Sequence, residues 1–216
     1  MKDFAGVFET HLTVLPPRPS EDGDEVIRRW AARHEMKYTR ILLEQGRTPD
    51  QPMLSYRGPG VLTMQQAQAR EWVQRLRVEG VGVTRVKIEA APWNADVPQT
   101  AQECAALPPE CYFEHHVKLV LAGADELTEV RELGRSHAAH LSWNARRMVG
   151  GGRHERFVTQ RCRRVGRPEA RRRLTALLDD LARAGHTPVE VEEEFVVHDD
   201  NPGIDAGWAG GPETGT

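Results

Sequence analysis

The sequence predicts an α+β protein made by tandem duplication of a ferredoxin-like β-α-β-β-α-β unit. Such a chain folds into two four-stranded antiparallel sheets with helices on one face of each. Three observations predict it. "VFETHLTV" (Val7–Val14) returns as "YFEHHVKL" (Tyr112–Leu119), aligning Glu9 with Glu114 and His11 with His116. "WVQRLRVEGVGVTRVKIE" (Trp72–Glu89) matches "LLDDLARAGHTPVEVEEE" (Leu177–Glu194), so that Leu76 meets Leu181, Gly80 meets Gly185 and Glu89 meets Glu194. Between them, "IRRWAARH" (Ile27–His34) and "VRELGRSH" (Val130–His137) fall in the same order. Each match is short, and their collinearity identifies the repeat.

Each copy reads alike. An alternating strand comes first, over 6–14 or 111–121. A helix follows, over 22–35 or 124–138, with Val26, Trp30 and Ala31 at helical spacing in the first copy. The acids of "SEDGDE" (Ser20–Glu25) suit its cap and first turn. Two strands come next, 37–44 with 53–57 and 141–149 with 156–163, joined by turn-like segments. A second helix spans 63–79 or 168–184. In the second copy Pro168 stands at its start and Gly185 past its end. A last strand, 83–90 or 188–197, closes the unit. The domains are therefore 1–91 and 111–200. They are separated by a Pro- and Ala-rich connector at 92–110 and followed by a mobile tail at 201–216, part of which Trp208 could pin.

The 216 residues fit one domain or two small ones, and 39% hydrophobic with 28% charged residues suits a folded protein. No apolar run reaches the roughly 20 residues that span a bilayer, and the first residues lack a secretion signal, so a cytoplasmic location and no membrane partner are expected. A net charge of −3 provides no global basic field for nucleic acid. Three cysteines without a Cys-x-x-Cys pair make neither a disulfide framework nor a zinc ribbon. Reduced thiols are the expectation, with a local Cys104–Cys111 bridge left open. A monomer and a homodimer both remain open.

Side chains alternate across a strand. Phe8, Leu12 and Val14 share one face, and Glu9, His11 and Thr13 the other. Phe113, Val117, Leu119 and Leu121 likewise oppose Glu114, His116 and Lys118. The apolar face belongs under the helices, which leaves the Glu-His face on the open side of each sheet. Two halves could cover it by stacking those faces or by joining edges into one curved sheet. Either way Glu9, His11, Glu114 and His116 could converge near the internal pseudo-two-fold axis. Two Glu and two His make a first shell for one divalent transition metal such as zinc, iron, nickel or manganese. They could equally form a metal-free polar pocket in which Glu and His act as base and acid. A hydrogen-bonded packing patch is the structural alternative.

Other candidates belong to the same face. Arg85, Lys87 and Glu89 alternate on one closing strand, and Glu190, Glu192 and Glu194 on the other, with the sign of charge reversed. A solvated face explains such runs, while pairing across the pseudo-axis would place acids against bases. Tyr56, Arg57, Arg161 and Arg163 on the inner hairpins are anion-binding candidates through hydroxyl or guanidinium donors. "MVGGGRH" (Met148–His154) reads as a flexible hairpin or lid. His34 and His137 suit helix C-termini.

"HLTV" (His11–Val14) resembles the His-x-Thr signature of two-histidine phosphoesterases, which are bilobal and of similar length. The resemblance covers four residues and implies His11 and His116 as acid and base around a phosphodiester. The second copy reads "HVKL", with Lys118 in place of the threonine.

The leading expectation is a small-molecule binding protein or enzyme. It would hold a polar or anionic ligand between pseudo-symmetric halves, beside a metal bound by Glu9, His11, Glu114 and His116. Thr13, Lys118, Arg57, Arg161, Lys87 and Glu192 would contact the ligand. A non-catalytic assembly module and a metal-free phosphoesterase are the alternatives.

Overall fold

The computed structural model describes residues 3–16, 21–145, 150 and 152–208. The first copy contains β1 (Ala5–Leu15), α1 (Glu21–Arg33), β2 (Lys37–Leu43), β3 (Asp50–Val61), α2 (Leu62–Val78) and β4 (Gly82–Ala90). A short α3 (Ala101–Ala105) sits in the connector. The second copy contains β5 (Tyr112–Leu121), α4 (Ala124–Ser136), β6 (Ala139–Asn144), β7 (His154–Cys162), α5 (Arg167–Arg183) and β8 (Glu190–Asp199). A 3-10 helix, Pro202–Asp205, follows.

The strand order is β4-β1-β3-β2 in one copy and β8-β5-β7-β6 in the other, the ferredoxin-like arrangement twice. The fold is a duplicated ferredoxin-like one. Of the two ways to cover the polar faces, the chain uses edge joining. β4 pairs with β8 and β2 with β6, all antiparallel, so two four-stranded sheets close into one eight-stranded barrel. Closure removes every exposed sheet edge, and eight strands leave an interior that side chains fill around room for a small ligand.

The helices lie outside. Phe8, Leu12 and Val14 of β1 are buried with Ile27 and Trp30 of α1 and Leu76 of α2. Val117, Leu119 and Leu121 of β5 are buried with Val130 of α4 and Leu174 and Leu181 of α5. The apolar core is therefore a sleeve between barrel and helices, and truncating one such leucine to alanine would cost about 2–5 kcal/mol. The strands' other face, bearing Glu9, His11, Glu114 and His116, turns inward.

The repeat shows in the backbone too. Gly80 and Gly185 close α2 and α5 with φ of 75° and 86°, a left-handed turn that a glycine adopts without steric cost. Glu35 and Ala138 take equivalent positive φ after α1 and α4. His137 at the end of α4 is tied to Asp180 of α5 at 2.7 Å, holding the two helices together.

The expected boundaries hold to within a few residues, with three differences. The connector carries α3, whose Thr100 and Glu103 form a reciprocal capping box. Residues 201–208, expected in a mobile tail, fold against one end of the barrel, burying Ile204, Asp205 and Trp208. β6 begins at Ala139 and ends at Asn144, and the expected continuation over 146–149 lies outside the described residues. Ser20, most of the glycine-rich hairpin and residues 209–216 lie outside the described residues. Cys104, Cys111 and Cys162 are free and buried. Burial pushes the Cys111 thiol up to about 12 and Cys162 up to about 11. Among the described residues no helix is long and apolar enough to cross a membrane.

Candidate functional site

The barrel lumen holds a cavity of about 150 Å³. By register, β1 places His11 between Ser55 of β3 and Lys87 of β4, and Glu9 between Arg57 and Glu89. β5 places His116 between Thr159 of β7 and Glu192 of β8, and Glu114 between Arg161 and Glu194. The two half-sites are the same pattern, with Lys87 exchanged for Glu192.

Each histidine is held in the same way. His11 Nδ1 lies 2.7 Å from the Ser55 hydroxyl, and its Nε2 lies 2.7 Å from Glu89 Oε2. His116 Nδ1 lies 2.9 Å from the Thr159 hydroxyl, and its Nε2 lies 3.6 Å from both Glu194 and Glu114. Both Nε2 atoms thus face carboxylates near the pseudo-axis. The potential ligand atoms of His11, Glu89 and Glu194 lie within 4.8 Å of one another, as do those of Glu89, Glu114 and His116. Donor atoms around a tetrahedral zinc lie ~3.3 Å apart, given ~2.0 Å bonds. A limit of 4.8 Å is wider than that spacing, so the two groups are candidate donor sets rather than a closed first shell.

The acids differ in state. Lys87 bridges Glu114 and Glu89, the latter at 2.5 Å. Burial works against the Lys87 charge, but Glu114 and Glu89 outweigh it and hold its pKa well above the ordinary value. Burial also opposes ionisation of Glu114, and Arg161 with Lys87 overrides it, keeping that carboxylate well below its usual range. Lys87 and His11 do the same for Glu89. Glu194 goes the other way. Burial first and the neighbouring Glu89 charge second raise its pKa well above normal, so it holds its proton toward Glu89.

The floor of the lumen is closed by the segment after β8. Asp205 receives hydrogen bonds from Arg85 at 3.0 Å, Arg161 at 2.7 Å and Gln51 at 3.0 Å. Arg85 also forks onto Asp199 at 2.9 and 2.6 Å. At the other end the side chains of Arg57 and Glu192 are 60% and 38% exposed, which marks the mouth.

His11, His116, Glu114, Lys87 and Arg161 therefore line one cavity in the lumen. Glu9 does not join the metal-competent groups found among the described residues. Arg57 at the mouth holds it instead, and Glu192 lies 3.3 Å from the same guanidinium. Glu114 is committed to Lys87 and Arg161. Glu89 and Glu194 join the metal-competent groups beside Glu114, and the sequence pattern shows them only as alternating charges. Thr13 and Lys118 do not line the cavity. Lys118 pairs with Glu190 and lies over the Phe157 ring. Tyr56 faces the helices, against Trp72. Arg163 lies over the Tyr112 ring. Ser55 and Thr159 carry no sequence signal beyond their cross-strand register.

No protein-family model matches the chain, and no curated protein matches it. Among solved structures it is similar to a heme-binding protein from Thermus thermophilus, at 13% identity over 90% of this chain and 92% of that one, with a TM-score of 0.29. It is also similar to the acetolactate synthase small subunit from Thermotoga maritima, at 11% identity over 89% and 93%, TM-score 0.29. A chlorite dismutase variant from Candidatus Nitrospira defluvii matches at 11% identity over 93% of each chain, TM-score 0.30. At such scores the likenesses carry no argument about chemistry, and the ferredoxin-like duplication rests on the strand order itself.

Proposed function

We propose that this protein binds one divalent transition metal on the pseudo-axis of its barrel, and a small polar or anionic molecule in the cavity beside it. Each copy gives one histidine from its first strand and one glutamate from its last: His11 with Glu89, and His116 with Glu194. The observation that carries this reading is the matched orientation of the two histidines. A hydroxyl engages Nδ1 and Nε2 faces carboxylates, which is how outer partners orient a ligating imidazole. Two nitrogens and two carboxylate oxygens suit zinc, iron, nickel or manganese. Metal would replace the Glu194 proton, and the two ionised glutamates would then balance a divalent charge. An oxygen of the cavity's guest would be polarised by a metal held there.

Carboxylates ring both histidines, which disfavours a phosphodiester between them, since phosphate would add like charge. The assembly alternative predicts that histidine variants alter association without altering any bound species.

Elemental analysis of purified, tag-free protein tests the proposal. About one transition metal per chain is expected. It should be lost in the His11→Ala/His116→Ala double variant and kept in Glu9→Gln. Wild-type protein that takes up no zinc, iron, nickel or manganese sinks the metal reading.

A further inference from the structure

The floor of the lumen reads as an anion site filled by the protein's own side chain. Asp205 is not on the barrel wall. It rides on the four-residue 3-10 helix, which is held by Asn201 to the Thr84 carbonyl at 2.9 Å, Arg47 N–H to the Ala206 carbonyl at 3.0 Å, Trp208 Nε1 to the Leu141 carbonyl at 2.7 Å, and the packing of Trp208 on Leu43. The donors that grip it all belong to barrel strands: Arg85 and Gln51 are buried, and the Arg161 side chain is 12% exposed. Two guanidiniums and an amide converging on one carboxylate are the chemistry of carboxylate recognition.

A second observation, beside Arg161 and just behind the cavity lining, points to a guest. Tyr112 shares the inward face of β5 with Glu114, and Arg161 lies over its ring, 5.2 Å from the centroid. Its side chain is only 1% exposed, yet its hydroxyl has no hydrogen-bond partner among the described residues. A buried hydroxyl without a partner loses its hydration and gains nothing in return, and a guest oxygen would satisfy it.

We propose that Asp205 is an exchangeable occupant, and that a small monocarboxylic acid enters the lumen and places its carboxylate on Arg85, Arg161 and the Tyr112 hydroxyl as the Asp205 segment releases. A monocarboxylate fits better than phosphate. It replaces one negative charge with one, whereas a dianion would add charge beside Glu114, Glu89 and Asp199. The rest of the acid would lie in the cavity against Leu43, Met53, Phe157 and Trp208, so its body is apolar. The inference builds on reading the lumen as a ligand pocket and does not require the metal.

The test uses protein stripped of metal, exchanged out of chelator and kept in carboxylate-free buffer, titrated with acetate, butyrate and inorganic phosphate. Trp208 lies 5.2 Å from the Arg161 guanidinium, so its fluorescence reports release. Butyrate should give a saturable change that is absent in Trp208→Phe and lost in Arg161→Met. Asp205→Asn, which keeps the shape but removes the competing charge, should tighten binding about tenfold or more. Calorimetry on Asp205→Asn repeats the measurement without the tryptophan. No saturable binding to wild type or to Asp205→Asn, or phosphate binding more tightly than butyrate, overturns the proposal. Because the protein is metal-free throughout, failure here leaves the metal analysis unaffected.

Discussion

Glu9–Arg57 and Glu114–Arg161 are the same ion pair in the two copies, and they sit in different media. In the first, the arginine side chain is 60% exposed and the glutamate 10%; in the second, the values are 12% and 1%. The topology explains the difference. β1, β4, β8 and β5 are successive antiparallel neighbours, so β1 and β5 run in opposite directions and the pseudo-two-fold axis crosses the barrel. Equivalent residues therefore fall at opposite ends. The connector after β4 runs along the outside, where Asn94 bonds the backbone of Val7, while the segment after β8 folds over the lumen. One end became a mouth and the other a floor, without any change in the repeated strand.

The largest effect should separate these two pairs. Arg161→Met leaves Glu114 and Asp205 buried with one cationic partner fewer each, which should cost about 3–5 kcal/mol. Arg57→Met at the mouth should cost less than about 1 kcal/mol, because water screens an exposed pair. Urea unfolding of both variants measures the contrast. If their midpoints shift equally, the floor is no drier than the mouth.

The histidines are where the copies should still behave alike. Ser55→Ala and Thr159→Ala each free one Nδ1, and each should weaken metal binding about 10–100-fold. Competition against a chromogenic chelator reads both values. A loss confined to one variant would mean that one half carries the metal and that the other histidine is only packed there.

Much of this was legible in the sequence, because alternation and duplication are period-two and collinear signals. They placed His11 and His116 on one shared polar face, and left the strands that bear Glu89 and Glu194 either solvated or paired across the pseudo-axis. They could not choose between stacked sheets and a closed barrel, since either covers the same face. They also picked Glu9 over Glu89, because the two stand opposite each other on neighbouring strands. Which of them reaches the axis depends on Arg57 capturing Glu9. Asp205 left no signal at all. It lies in a glycine-rich stretch with no periodicity, and its role comes from arginines more than 40 residues away in sequence.

The smallest contrast concerns Lys37 and His140, which occupy equivalent places beside Ser55 and Thr159. Lys37 is exposed at the mouth. His140 is half-buried at the floor, 5.8 Å from the Trp208 ring. Burial lowers its pKa, and the Arg161 and Arg135 charges add to that against a weaker pull from Glu44. The folded protein therefore holds His140 neutral where the unfolded chain, titrating near 6.5, takes a proton. Its contribution to stability is present above that pH and is lost as pH falls below it. The side chain is only partly buried, so the effect should be under about 1 kcal/mol. Unfolding curves between about pH 7 and pH 5 should fall slightly less steeply for His140→Gln than for wild type. Lys37→Gln, at the exposed mouth, is the matched control, and its curve should parallel wild type throughout. A His140→Gln curve that also parallels wild type would show that water reaches the floor, and that the Trp208 segment does not seal the end it covers.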